Sequence, residues 1–167
     1  MNSAAKDSFL LAGFALAHAA WSVSDLPDSE LLVPLAVVER GGQRELLRFE
    51  ADTQEEAIKK GKRAVIEEID ADAWAFAREG ALRLQATQLP QDVLVVDFWV
   101  EGMKNPSTII QPFVRYTEGG RFRVVGEMIV TSGGQMLDSS LMQQAVNAIN
   151  EGIQEHPKVV ELWHTWL

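Results

Sequence analysis

The chain has 167 residues, of which 47% are hydrophobic and 23% are charged, and these values are ordinary for one compact globular domain. They exclude a disordered chain, a collagen-like fibre and a long coiled coil. Asp and Glu number 24 against 15 Lys and Arg, so the net charge of -9 argues against binding nucleic acid through its phosphates. Cysteine is absent, which excludes disulfide scaffolds, thiolate metal sites and cysteine nucleophiles.

The acidic residues are dispersed along the chain. The net charges of segments 1–38, 39–83, 84–130 and 131–167 are -3, -2, -1 and -3, and no segment holds an acidic run. A protein that mimics nucleic acid would need negative charges aligned along one face. The distribution therefore favours a solvated acidic surface.

The first apolar segment predicts an alanine-rich helix over about residues 4–22, packed on the domain. A secretory signal within residues 1–20 is the alternative, because a basic Lys6 precedes the apolar run. Asp7 cancels that charge, and the run is too short to span a membrane. We expect a cytoplasmic protein that does not bind membranes.

A β-hairpin is predicted next. Leu31 to Glu39 and Gln43 to Phe49 form two strands, joined by Gly41 and Gly42 in a tight turn with positive φ. Pro34 indicates that the first strand is an edge strand or contains a bulge.

Thr53 to Ile69 predicts an amphipathic helix. Thr53 and Glu56 match a capping box, which satisfies backbone N–H groups at the helix start. Gly61 lies in the apolar stripe, where the lack of a side chain would let the helix approach a sheet closely.

Ala73 to Leu84 has strand character but contains Glu79 and Gly80. Either this pair forms a hairpin turn, or Gly80 bends one long strand. A loop over Ala86 to Asp92 then leads to a strong strand from Val93 to Glu101.

Two further strands complete an antiparallel meander. The first runs from Thr108 to Thr117, with Pro112 indicating an edge position or a bulge. A turn at Gly119 and Gly120 leads to a strand from Phe122 to Val130.

The C-terminal part is predicted to be helical. A linker at Thr131 to Gly134 precedes a helix from Leu137 to Ile153, and Pro157 suits the first turn of a last short helix. An apolar cluster at the end of the chain either closes the core or is an interface with another subunit: Trp163, Trp166 and Leu167.

These elements predict an α+β fold in a single domain, residues 1–167. Their order is α-β-β-α-β-β-β(-β)-α-α, with an N-terminal helix in residues 1–22, a sheet within residues 31–130 around the helix 53–69, and C-terminal helices in residues 137–167. Because strands and helices do not alternate singly, we expect a curved antiparallel sheet covered by helices on one face.

Familiar catalytic and nucleotide-binding motifs are absent, and we expect no cofactor and no metal. The chain contains His18, His156 and His164. A site with all three would require the two terminal helices to meet; ordinary packed or surface histidines are the alternative.

The meander offers the richest candidate site. If the relevant faces of its strands coincide, one polar patch forms from six residues: Asp97, Trp99, Gln111, Arg115, Arg123 and Glu127. Asp97 interrupts an otherwise apolar run, which indicates an edge, an arginine partner or a pocket. A cross-strand salt-bridge network on the solvent face is the alternative.

Two functional hypotheses follow. The first is a non-catalytic protein that binds a protein partner or a copy of itself, for instance as a homodimer. The second is a small-molecule carrier or enzyme on the concave sheet face. There Asp97 or Glu127 would act as acid–base, and Arg115 or Arg123 would hold an anionic group.

Overall fold

The computed structural model describes residues 1–83, 89–115 and 120–167. Its helices are α1 (Ser3–Ser24), α2 (Gln54–Arg63) with a π-helical continuation (Ala64–Glu68), and α3 (Ser139–Gln154), followed by a 3-10 turn (Trp163–Trp166). Its strands are β1 (Leu35–Arg40), β2 (Gln43–Arg48), β3 (Ala73–Leu82), β4 (Gln91–Val100), β5 (Ser107–Val114), β6 (Arg123–Val124), β7 (Ile129–Ser132) and β8 (Gln135–Met136). The predicted α+β class and the order of the main elements are confirmed.

The strands form one open antiparallel sheet in the order β2-β1-β3-β4-β5-β7-β8, and β6 pairs with the end of β5. None of the helices within the described ranges has both the length and the apolar character needed to cross a membrane.

Helices cover both faces of this sheet, so the prediction that they cover one face is wrong. α1 and α3 pack on the face that presents Ala75, Leu94 and Val96. The other face, with Trp74 and Phe76, packs against α2 and its continuation. β3 begins with an unbroken apolar run, so it presents apolar side chains on both faces of the sheet. Both faces must therefore be shielded from water by other elements.

α1 and α3 touch backbone to backbone. A Cβ atom added at Gly13 would overlap the Ile149 carbonyl, and one added at Gly152 would overlap the Leu10 carbonyl. The predicted alanine-rich helix is therefore a central element of the core.

The predicted hairpin is confirmed, with φ of 56° at Gly41 and 77° at Gly42. β1 begins at Leu35 instead of Leu31, and it lies inside the sheet between β2 and β3. The edge position predicted from Pro34 is therefore wrong. Pro34 lies just before the first residue of β1, so its missing N–H removes no hydrogen bond between strands.

The N-cap half of the predicted capping box is confirmed, since the Glu56 N–H donates to Thr53 Oγ1 at 3.1 Å; no bond from the Thr53 N–H back to the Glu56 side chain is found among the described residues. Gly61 also packs as predicted, against the rings of Phe49 and Phe76. The last turn of the predicted helix is π-helical, however, and ends at Glu68.

β3 is one long strand without a hairpin, in which Glu79 pairs with Leu94 and Gly80 with Val93. The predicted loop over residues 86–92 is shorter, because β4 already begins at Gln91. Several predicted positions lie outside the described residues: the strand end at residue 84, loop residues 86–88, the strand end at residues 116–117, and the first turn glycine, residue 119.

The strand predicted from Phe122 to Val130 is interrupted. Only β6 and β7 join the sheet, and Gly126, with φ of 69°, takes the chain away from the ladder between them. Pro112 lies opposite this gap in β5, beyond the residues that pair with β7.

The predicted linker at residues 131–134 is also wrong. β7 and β8 form a hairpin whose turn residues, Gly133 and Gly134, both have positive φ. A glycine pair suits this tight turn for the same reason as in the first hairpin.

The predicted last helix does not form. Turns follow Pro157, and only the short 3-10 turn closes the chain. Trp163 and Trp166 are buried in the core on the α1–α3 face, where Trp166 packs edge-on against Phe122 at 5.0 Å.

Candidate functional site

Asp97 lies on the α2 face of β4 and has partners on both neighbouring strands. Arg78 Nη1 of β3 is 2.6 Å from Asp97 Oδ2, and Thr108 Oγ1 of β5 donates to Oδ1 at 2.7 Å. This is the cross-strand ion pair that the sequence left open as the alternative to a pocket. It satisfies both carboxylate oxygens.

The six-residue polar patch does not form as one surface. In the β4–β5 register, Asp97 is opposite Thr108 and Leu94 is opposite Gln111, so Asp97 and Gln111 point to opposite faces. Trp99 shares the face of Asp97. Arg115 lies four residues after Gln111, so its side chain is on the same face of the sheet as that of Gln111.

Arg115 belongs to a buried ion pair that was not predicted from the sequence. Its Nη2 is 2.7 Å and 2.6 Å from the two carboxylate oxygens of Glu79, and Glu79 Oε1 also accepts the Leu32 N–H at 2.7 Å. The sequence signal was available, since Glu79 interrupts the apolar run of β3 much as Asp97 interrupts that of β4.

Arg123 and Glu127 lie apart from Asp97 in the chain and in their contacts. Arg123 sits in β6 opposite Val114, and its buried Nε has no hydrogen-bond partner among the described residues. Glu127 lies in the gap between β6 and β7 and lines a cavity together with Gln111. Of the six predicted residues, the structure thus groups Gln111 with Glu127, and Asp97 with Trp99.

An apolar depression adjoins Asp97 on the α2 face, and we call it the α2 groove. It consists of two adjoining hollows of about 230 and 440 Å³ that share Val65, Ile66, Trp74 and Pro106. Trp99 and Met103 extend the second hollow. Ile66 is 61% exposed, although it lies among these apolar side chains.

Local structure fixes the walls of the α2 groove. The π-helical turn carries Val65 and Ile66, and such turns are often found at functional sites. Trp99 Nε1 donates to the Met103 carbonyl at 2.9 Å, which ties the loop after β4 back to its strand.

Charges of both signs line the two hollows. Lys62 and Asp97 line the first hollow, and Lys104 and Asp70 line the second. The α2 groove is therefore lined by apolar side chains together with charged residues of both signs, which we call the rim charges.

The two terminal helical regions do meet, and they bring His18 and His156 together. The Lys158 N–H donates to His156 Nδ1 at 3.2 Å, so the proton of the neutral His156 ring is on Nε2. That Nε2 lies 2.9 Å from His18 Nδ1, which accepts the bond and leaves the His18 proton on Nε2. Burial is the main cause that lowers the pKa of His18 to about 4, and it lowers the pKa of His156 as well.

His164 is exposed and does not join this pair, so the three-histidine arrangement is not formed. Within the described part of the chain, no three His, Asp or Glu side chains are grouped so that they would hold a metal ion. Of the predicted interface residues, Trp163 and Trp166 are buried within their own chain, whereas Leu167 is exposed.

No family model matches the chain, and neither a similar curated protein nor a similar solved structure was found.

Proposed function

We propose that this protein is non-catalytic and works by self-association through the α2 groove. The observation that carries the proposal is the 61% exposure of Ile66, which lines both hollows of the α2 groove beside Trp74, while Trp99 and Met103 line the second. Aromatic residues and methionine are enriched at protein interfaces, where burial of such side chains supplies most of the binding energy.

The rim charges favour a second copy as the occupant. A two-fold axis across the groove brings one end of a groove against the opposite end of its partner. Each of the two hollows carries one basic and one acidic residue, Lys62 with Asp97 and Lys104 with Asp70, so a second copy can bring opposite charges together at both ends. A rim with one sign of charge would repel itself in this arrangement.

The state of the carboxylates supports a non-catalytic role. Asp97 is paired with Arg78, and Glu79 with Arg115, as is usual for carboxylates that hold strands together. The predicted acid–base roles of Asp97 and Glu127, with Arg115 and Arg123 as anion holders, would require groups that converge on one cleft. Against such a cleft, Asp97 lies on the α2 face of the sheet, whereas Gln111 and Arg115 lie on the other face.

The proposal keeps the cytoplasmic location expected from the sequence. Its support is that the alanine-rich first segment is a packed helix of the fold, buried against the sheet and α3.

The test is the mass of the protein in solution, measured by light scattering over a range of concentrations. We expect a dimer for the unchanged protein and a monomer for Ile66→Asp, because a carboxylate in the apolar contact would be desolvated without a partner. Leu31→Asp is the matched control, since Leu31 is 52% exposed but does not line the α2 groove.

A mass that stays monomeric at every concentration would rule out self-association. A dimer that survives Ile66→Asp, with both variants melting like the unchanged protein, would place the interface elsewhere on the surface.

A further inference from the structure

A separate cavity, distinct from the α2 groove, lies on the other face of the sheet, below α3. It has a volume of about 550 Å³, which is within the range of small-molecule sites. α3 contributes Met142, Val146 and Asn150 to its walls, and the chain end contributes Trp163 and Leu167. The interruption between β6 and β7 opens this space, because residues that would continue the sheet there turn away at Gly126.

The apolar part of the wall is adaptable in shape. Met128, Met142 and Trp163 line the cavity, and methionine side chains adjust readily to the outline of a ligand. Trp163 is held in place by Trp166, whose ring centre is 6.0 Å away. An indole ring at a cavity wall can attract a cation through its π-system.

The polar groups of the cavity supply hydrogen-bond acceptors. Glu127 is the one charged side chain among the described residues that line it, and its carboxylate forms no ion pair with any described residue. Gln111 is 2% exposed and donates through Nε2 to the carbonyls of Pro112 and Val125. Its Oε1 accepts no hydrogen bond from a described side chain or backbone group, so it remains available to a ligand.

A carboxylate and an amide oxygen above an apolar, partly aromatic wall are complementary to a positively charged donor with an apolar body. We propose that this cavity binds a small organic amine, with the ammonium group at Glu127 and the apolar part between Met142 and Trp163. The site lies on the face of the sheet opposite the α2 groove, so this inference does not depend on self-association.

The probe is phenethylamine, compared with the neutral 2-phenylethanol and the anionic phenylacetate, which share its ring and differ in charge. Binding is followed by two-dimensional NMR, using the side-chain amides of Gln111 and Asn150 and the indole N–H of Trp163. We expect the amine to shift these signals in a saturable way and to bind at least tenfold more tightly than either analogue.

Glu127→Gln removes the charge with little change of shape, and we expect it to weaken binding of the amine by about tenfold. Glu161→Gln is the matched control, because Glu161 is exposed and does not line the cavity. Val146→Phe fills the hollow from α3 and is expected to abolish binding, with an unchanged helical circular-dichroism spectrum as the check that the chain is folded.

Three results would overturn the proposal. One is the absence of saturable shifts with the amine, and another is equal affinity for the alcohol or the acid. The third is binding that persists in Val146→Phe, since the amine would then occupy a different place.

Discussion

Glu79 and Arg115 form an ion pair that is almost completely shielded from water, with side-chain exposures of 5% and 8%. The Glu79 carboxylate accepts from both Arg115 and the Leu32 N–H, so it connects β3, the chain after β5 and the segment before β1. Removing one member of such a pair leaves an uncompensated buried charge, which costs far more than the pair itself contributes.

Glu79→Gln is therefore expected to lower the free energy of unfolding by about 3 kcal/mol or more. Urea unfolding followed by tryptophan fluorescence measures it. Glu55→Gln removes the acid of the exposed Glu55–Lys59 pair and should change the same quantity by less than about 0.5 kcal/mol. Equal effects in the two variants would show that burial of the Glu79 pair has no special consequence.

The histidine pair makes stability depend on pH. Burial, then the charge of His156 and of Arg48, lowers the pKa of His18 from its ordinary value of 6.5 to about 4. Protonating either ring also breaks this hydrogen-bond chain, because a proton on His156 Nδ1 would face the Lys158 N–H and a proton on His18 Nδ1 would face the His156 Nε2–H. The folded state thus favours the neutral rings, while the unfolded chain binds protons as soon as the pH falls below 6.5.

The stabilisation from His18 is complete above pH 6.5 and is lost as the pH falls from 6.5 toward 4. Because His18 is only half buried, solvent screening reduces the effect to about 1 kcal/mol. We expect His18→Asn, whose side-chain oxygen can still accept from His156, to lose less stability between pH 7 and pH 5 than the unchanged protein. His164→Asn, at an exposed position, should follow the unchanged protein; a parallel decline in all three would contradict the assignment.

At the scale of elements, the crossing of α1 and α3 depends on two glycines. Gly13 meets the backbone of Ile149, and Gly152 meets the backbone of Leu10, so neither site has space for a methyl group. In an exposed helix the change from glycine to alanine stabilises by about 0.5–1 kcal/mol, because it restricts the unfolded chain. Here the overlap with backbone atoms reverses the sign.

We expect Gly13→Ala to destabilise the protein by about 2 kcal/mol, the usual cost of overpacking a core. Thermal unfolding by circular dichroism measures the change. Gln144→Ala, at an exposed position of α3, should leave the melting temperature nearly unchanged or raise it. If Gly13→Ala raises the melting temperature too, the two helices are not in backbone contact.

Interactions between residues close in sequence allowed some elements to be predicted correctly, but not others. The Gly41–Gly42 hairpin and the Thr53 cap were predicted because the residues that determine them are adjacent in sequence. The interruption at Gly126 and the absence of the last helix were not predicted, because both depend on contacts with distant parts of the chain. The segment around Gly126 pairs with β5, and the chain end packs against Phe122.

At the scale of the whole molecule, the proposed dimer joins two chains that each carry a net charge of -9. Burial of the apolar α2 groove favours association, whereas the net charges repel each other over distances that salt screens. The few exposed rim pairs contribute little by comparison.

Self-association is therefore expected to strengthen as the salt concentration rises from low to physiological values. Sedimentation equilibrium at several concentrations of sodium chloride measures this. A dimer that weakens with salt would indicate that the rim ion pairs, and not the apolar contact, hold the two copies together.

The sequence by itself determined the α+β class, the Gly41–Gly42 turn, the Thr53 cap, and the presence of charged residues where strands are otherwise apolar. These features follow from dihedral preferences and from periodicity within a few residues. Only the tertiary structure decided which charges meet. Strand side chains alternate with a period of two, so the register between β4 and β5 places Asp97 beside Thr108 and sends Gln111 to the other face. Register depends on contacts between residues far apart in the chain, so the sequence could mark Glu79 as unusual but could not identify its partner Arg115, 36 residues away.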